Sequence, residues 1–372
     1  MLRFIRTFAV LAALFASFVN AAENDAPVRR DVDLVIALDV SGSMSGLIDS
    51  AKQRLWDVVN ELGQARPMPH LRVAILSYGR PSYGEQSGFV RVDLPFTSDL
   101  DAVNATLFAF QTDGGDEYVS RAIQTSLDRL QWSARPDAMK IVFVAGNESA
   151  EQDPRLTLAQ AAAAAARRGI VVNAIYCGAD SDGDAAGWRK VPAGTNGLYA
   201  SIDQNAAAVA NVATPFDAPL AKLNDELNAT YIALGADGKR ARANQLEQDR
   251  NAAAMSPAAA ASRAVAKGGE LYRTDWDLVE TVQSGKALAD VPVADLPAEL
   301  QALEPADREA FVREKSERRA ELQREIGELA AERSRYVAAE KDKAGGPRGL
   351  DTAILEGVRD VAEAKGFSFE KR

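Results

Sequence analysis

Apolar and polar positions divide the chain into two stretches of different character. From Asp31 to Thr214, short apolar runs alternate with amphipathic ones. Residues 32–38 are mostly apolar, rich in branched side chains and too few for a helix, so they read as a strand buried on both faces. The run stops at Asp39. After a small turn, Leu47, Ile48, Ala51, Leu55, Val58, Val59 and Leu62 recur at helical spacing. Residues 71–78 predict the next strand, and residues 89–94 alternate as an edge strand or hairpin partner does. A short helix to Phe110 follows, then a helix with Val119, Ala122, Ile123, Ser126, Leu127 and Leu130 on one face. Strands over 139–144, 170–177 and 198–202 enclose an Ala-rich helix over 156–168 that Gly169 ends. Asp203, Gln204 and Asn205 cap a last helix through Ala213. Such alternation predicts an α/β fold: a doubly wound, mainly parallel sheet with helices on both faces.

From Pro215 onward no buried strand stands out, and an α-helical C-terminal region is expected over 215–372. Leu220, Leu223, Leu227, Tyr231 and Leu234 mark one helix ended at Gly235. Residues 239–267 are Ala-rich and mostly helical, with a break at Ser256-Pro257, and Trp276 reads as a core aromatic. Residues 305–343 form a long charged helix in which Leu322, Ile326, Leu329, Arg333 and Tyr336 follow a 4-3-4-3 spacing. That is a short coiled-coil pattern, better suited to a helical hairpin within the chain than to a dimer. Ile354, Leu355, Val358, Val361 and Ala362 form a final amphipathic helix.

Chemistry concentrates in the turn after the first strand. Asp39, Ser41 and Ser43 alternate at the carboxyl end of that strand, where open α/β sheets place ligands. Three oxygen side chains can converge there, and no His or Cys lies nearby. Hard oxygen ligands suit Mg²⁺, with Mn²⁺ or Ca²⁺ as alternatives. The competing reading is a turn that caps the helix through Ser43 or Ser45. Asp-x-Ser-x-Ser after a hydrophobic strand resembles the metal-ion-dependent adhesion site of von Willebrand factor type A (VWA) domains, and the resemblance covers residues 31–214. It implies a VWA/Rossmann-like sheet and a divalent ion completed by a Glu or Asp of a partner protein. It also implies a further ligand from the loop before the third helix. Asp116 matches that ligand best, with Thr112 and Glu117 as alternates, against a plain helix-capping role for these acids. The family's Thr-Asp-Gly ending of a later strand is replaced by Ala145-Gly146-Asn147-Glu148. Gly146 falls where an Asp is usual, leaving Asn147 or Glu148 to supply an oxygen or the loop to play no metal part. If both Asp116 and Glu148 coordinate directly, the net charge of the site falls to or below zero, so the metal is held tighter and the pull on a partner carboxylate weakens.

The chain's 372 residues carry a net charge of −10, which argues against nucleic acid and anionic membrane surfaces as partners. Arg3 and Arg6 precede an apolar run over 8–19 and small residues at 19–22, the pattern of a signal peptide over 1–21, with a linker over 22–30. A periplasmic or secreted protein, not integral to the membrane after cleavage, is expected. The one cysteine, Cys177, sits in a strand pattern and reads as a buried structural thiol. Asp180, Asp182 and Asp184 resemble a calcium loop, but Val191 stands where the bidentate Glu is required, so a polar surface loop is expected. A metal-assisted hydrolase is the alternative function. It has little support, because the single His, His70, lies before a strand, away from Ser41 and Ser43. A scaffold with a vestigial metal site is the third reading.

Overall fold

The computed structural model describes residues 29–202, 212–344 and 350–369. The expected signal peptide, most of the linker and the greater part of the helix opened by Asp203 lie outside the described residues. Strand β1 (Arg30–Asp39) leads to helix α1 (Ser45–Leu62), a two-residue strand β2 (Ala65–Arg66) and β3 (Pro69–Tyr78). Then come β4 (Val90–Thr97), α2 (Leu100–Phe108), α3 (Val119–Arg129), β5 (Met139–Gly146), α4 (Leu158–Arg167), β6 (Val171–Tyr176), α5 (Ala185–Trp188) and β7 (Tyr199–Ser201). These strands form one sheet of order β4-β3-β1-β5-β6-β7, in which β4 runs antiparallel to β3 and the other pairings are parallel. The alternation of strands and helices thus folds as expected.

Strand β1 is central and covered on both sides, which explains its nearly unbroken apolar run. Leu34 and Leu38 point into a core shared with α1 and α2, while Val35 and Ala37 point into a second core with α3, α4 and α5. Since β3 lies on one side of β1 and β5 on the other, the chain reverses its winding at β1, and the crevice beyond the carboxyl ends of these strands is the place for a ligand.

The helical region comprises α6 (Asp217–Asn228), α7 (Gly235–Met255), α8 (Pro257–Gly268), α9 (Leu278–Gln283), α10 (Ala298–Gln301), α11 (Pro305–Ala344) and α12 (Leu350–Ala364), followed by β8 (Ser368–Phe369). The helix expected to reach Gly235 stops at Asn228. There Thr230 turns inward and an isolated bridge pairs Ala233 with Asp277. Leu322 and Ile326 of α11 pack into a core with Leu220, Leu223 and Leu227 of α6 and Ala261 and Ala264 of α8, so the 4-3-4-3 stripe is used inside the chain. Trp276 is half-buried and lies over Tyr231, their ring centroids 5.7 Å apart.

This region is anchored on the sheet domain at two places. Arg263 of α8 is fully buried, pairs with Asp101 of α2 at 2.8 Å and with Asp249 of α7, and stacks over Trp56 of α1. Farther along, Val358, Val361 and Ala362 of α12 join the same core as Leu34 and Phe143, and β8 pairs antiparallel with β2. The end of the chain therefore returns to cover the sheet.

Candidate metal centre

The turn after β1 is built around Asp39, which is fully buried. Its Oδ1 accepts the Ser41 amide at 2.7 Å, folding the turn back over the strand end. Ser41 and Ser43 bring their Oγ atoms within 3.4 Å of each other, and Ser43 also meets Asn147, whose Nδ2 donates to Ser43 Oγ at 2.9 Å. The serines do not cap α1: its N-cap position is Met44, and no side chain makes a capping bond there. Their hydroxyls face the turn instead.

The loop before α3 closes the other side. Asp113 N donates to Val40 O at 3.0 Å, so the loop lies directly against the β1 turn. Asp116, the ligand expected from this loop, is exposed, and Thr112 is half-buried. Glu117 is the residue that turns inward: it is buried, and its amide donates to Gln152 Oε1 at 2.9 Å. Helix α3 has no side-chain cap, so Glu117 does not serve the helix start. Gly79 makes the approach possible. Its φ is +89°, and a Cβ there would stand 2.8 Å from Asp39 Oδ1 and 3.2 Å from Glu117 Cγ. Spacing alone does not separate Asp116 from Glu117. The structure separates them through Gly79, whose positive φ leaves room for Asp39 and Glu117 to approach.

Gly146 is enclosed as well. A Cβ at this position would lie 2.6 Å from Tyr78 Oη and 3.2 Å from Asp39 Oδ2. The Tyr78 hydroxyl donates to Ala145 O at 2.8 Å and fills the corner that an aspartate takes in the resemblance. Asn147 reaches the turn through Ser43. Glu148 is exposed and held by Gln152 Nε2 at 3.2 Å.

The electrostatics follow from two acids meeting in a dry place. Burial pushes the Asp39 carboxyl up; hydrogen bonds from Glu117 and Ser41 oppose this, and the charge of Glu148 adds to the rise. Burial, then the hydrogen bond and charge of Asp39, push Glu117 up to about 9. As carboxylates neither can donate to the other, and Asp39 Oδ2 and Glu117 Oε1 are buried without a hydrogen-bond partner. Only a proton or a cation between them relieves this arrangement. Among the described residues no group of three His, Cys, Asp or Glu side chains forms a metal site. The donors here are two carboxylates with two hydroxyls, and this hard-oxygen set fits a divalent ion. Asp39, Ser41, Ser43 and Glu117 would hold it, and the ion would offer a Lewis-acidic position facing solvent.

Other expected features fall away from this place. His70 lies near the opposite end of β3, its Nδ1 3.2 Å from Asp31 Oδ1. Cys177 is buried, and burial followed by the charge of Asp39 pushes its thiol well above the usual range. Asp182 is used internally, its Oδ2 accepting from Ala179 N at 2.9 Å and from Tyr176 Oη at 3.3 Å.

Comparison with known proteins agrees with the fold. Residues 33–213 match the von Willebrand factor type A domain family, and this part of the chain is a VWA domain. Some solved structures are similar to part of this chain at low identity. Proximal thread matrix protein 1 from the mussel byssus, solved with a zinc-occupied MIDAS motif, is 12% identical with a TM-score of 0.38, over 49% of this chain and 44% of that one. A von Willebrand factor type A protein from Catenulispora acidiphila is 18% identical with a TM-score of 0.37, over 47% of this chain and 39% of that one. The pilus adhesin SpaC from Lactobacillus rhamnosus GG is 16% identical with a TM-score of 0.36, over 47% of this chain and 28% of that one. This chain thus spans less than half the length of the mussel protein. No curated protein matches it in sequence.

Proposed function

We propose that the chain is an interaction module that binds a divalent cation through Asp39, Ser41, Ser43 and Glu117 and uses it to contact an acidic side chain of a partner protein. The observation that carries this reading is the pair of buried carboxylate oxygens, Asp39 Oδ2 and Glu117 Oε1, that have no donor at the mouth of the β1 turn. Two carboxyl groups buried side by side are costly unless a proton or a cation joins them. Mg²⁺ suits the all-oxygen set, as do Mn²⁺ and Ca²⁺. The reading is of a binding protein, not an enzyme: the groups around the turn comprise no His and no nucleophile–base pair. The pattern of residues 1–21 supports export, to the periplasm or beyond, and among the described residues no helix is long and apolar enough to cross a membrane. The helical region, anchored through Arg263 and α12, acts as a rigid extension of the VWA domain in this reading. Isothermal titration with Mg²⁺ and Mn²⁺ tests the site. One ion per chain is expected, lost in Asp39→Asn, which keeps an acceptor for the Ser41 amide. Equal binding by that variant would sink the reading.

A further inference from the structure

Two of the loops around the candidate metal centre present exposed acids, two from the loop before α3 and one from the loop after β5. Asp113 lies in the loop bonded to Val40, Asp116 immediately precedes the inward Glu117, and Glu148 follows Asn147 at the end of β5. All three are exposed. Arg80 stands 3.8 Å from Asp113, and among the described residues no cation pairs with Asp116 or Glu148. Below this rim, Asp39 and Glu117 are buried with unpartnered oxygens.

A divalent ion held by two carboxylates has no net charge left over. An incoming carboxylate then gains a coordination bond but little long-range attraction, and it must pass a rim of its own sign. A carboxylate that arrives with cationic neighbours reverses the second effect. Its Lys or Arg side chains meet Asp116 and Glu148 while the acid reaches the centre. The net charge of −10 on the whole chain steers in the same direction.

We propose that the partner segment recognised here is an acidic residue flanked by Lys or Arg, with the buried centre as its anchor and the Asp113, Asp116 and Glu148 rim as its selector. This rests on the metal-dependent reading above. The test uses the full chain in millimolar Mg²⁺ and three labelled peptides of equal length, read by fluorescence anisotropy. One has Glu between basic residues, one has Glu between serines, and one has Gln between basic residues. The basic-flanked Glu peptide is expected to bind at least about tenfold tighter than the other two, more so at low salt, and to be released by chelator. In Asp116→Asn/Glu148→Gln its advantage over the serine-flanked peptide should shrink to about twofold or less. Equal or tighter binding of the serine-flanked peptide, an advantage that survives the double variant, or equal binding of the Gln peptide would each overturn the proposal. So would failure of all three peptides while calorimetry still detects Mg²⁺, which leaves the metal reading standing. Failure to bind Mg²⁺ at all removes that reading first.

Discussion

Two buried clusters of acids in this molecule meet opposite fates. At the carboxyl end of β1, Asp39 and Glu117 are buried beside each other, and two of their oxygens have no partner. Between the VWA domain and the helical region, Asp101 and Asp249 are also enclosed, but Arg263 and Lys267 lie among them and the Tyr272 hydroxyl donates to Asp101. Burial alone would raise Asp249, yet Arg263 and Lys267 hold it well below the usual carboxylate range, whereas Glu117 is pushed up to about 9. Burial penalises both clusters. What differs is whether the chain carries the compensating cation itself. Where it does, the cluster fastens two regions together. Where it does not, the proposed reading has the cluster take its cation from solution.

Removing the built-in cation should break this contrast most severely. Arg263→Met leaves Asp101 and Asp249 buried without their guanidinium and should cost about 3–5 kcal/mol in urea unfolding. Acid should act on the same cluster more gently. A carboxyl whose folded pKa is depressed contributes stability above its ordinary value of 3.8 and loses it as pH falls further, so the gap between wild type and Arg263→Met should narrow in that range. A gap that stays constant down to strong acid would mean that Asp249 does not carry the effect.

The candidate metal centre offers smaller and sharper tests. Gly146→Asp restores the residue expected from the resemblance, but its Cβ would meet Tyr78 Oη at 2.6 Å. A loss of about 1–3 kcal/mol by thermal unfolding is expected, without tighter Mg²⁺ binding. A gain in affinity would show that Tyr78 yields the corner readily. The mildest change is Asp116→Asn. Asp116 is exposed, so Mg²⁺ affinity should move by about threefold or less. A larger loss would make Asp116, not Glu117, the loop's contribution.

Much of the architecture was legible because periodicity reports burial directly. The run Val32–Leu38 is apolar at almost every position since both faces of β1 are covered, and Thr157 with Gln160 begins α4 by a capping box close to the expected start. Part of the candidate site was legible too: Asp39, Ser41 and Ser43 stand at the end of a buried strand, and the turn keeps the Ser41 and Ser43 hydroxyls 3.4 Å apart. The choice between Asp116 and Glu117 was not, because one residue of register in an irregular loop decides which carboxylate turns inward. The coupling of Gly146 to Tyr78 was hidden too, since it joins the ends of two strands 68 positions apart that meet only across β1. The return of α12 to the sheet core escaped local pattern for the same reason. Its stripe of Val358, Val361 and Ala362 announces a partner but does not say which.

The most direct measurement is thermal unfolding of the wild type, Asp39→Asn and Glu117→Gln across a Mg²⁺ series. The wild type should gain stability with the logarithm of Mg²⁺ concentration, reaching about 2.7 kcal/mol at a hundredfold excess over Kd. Both variants should show a markedly weaker slope, and Glu117→Gln should be no less stable than wild type in chelator, since it removes one of two opposed acids. A wild type indifferent to Mg²⁺, or variants that respond as it does, would contradict the claim that these two carboxylates are built to share a cation.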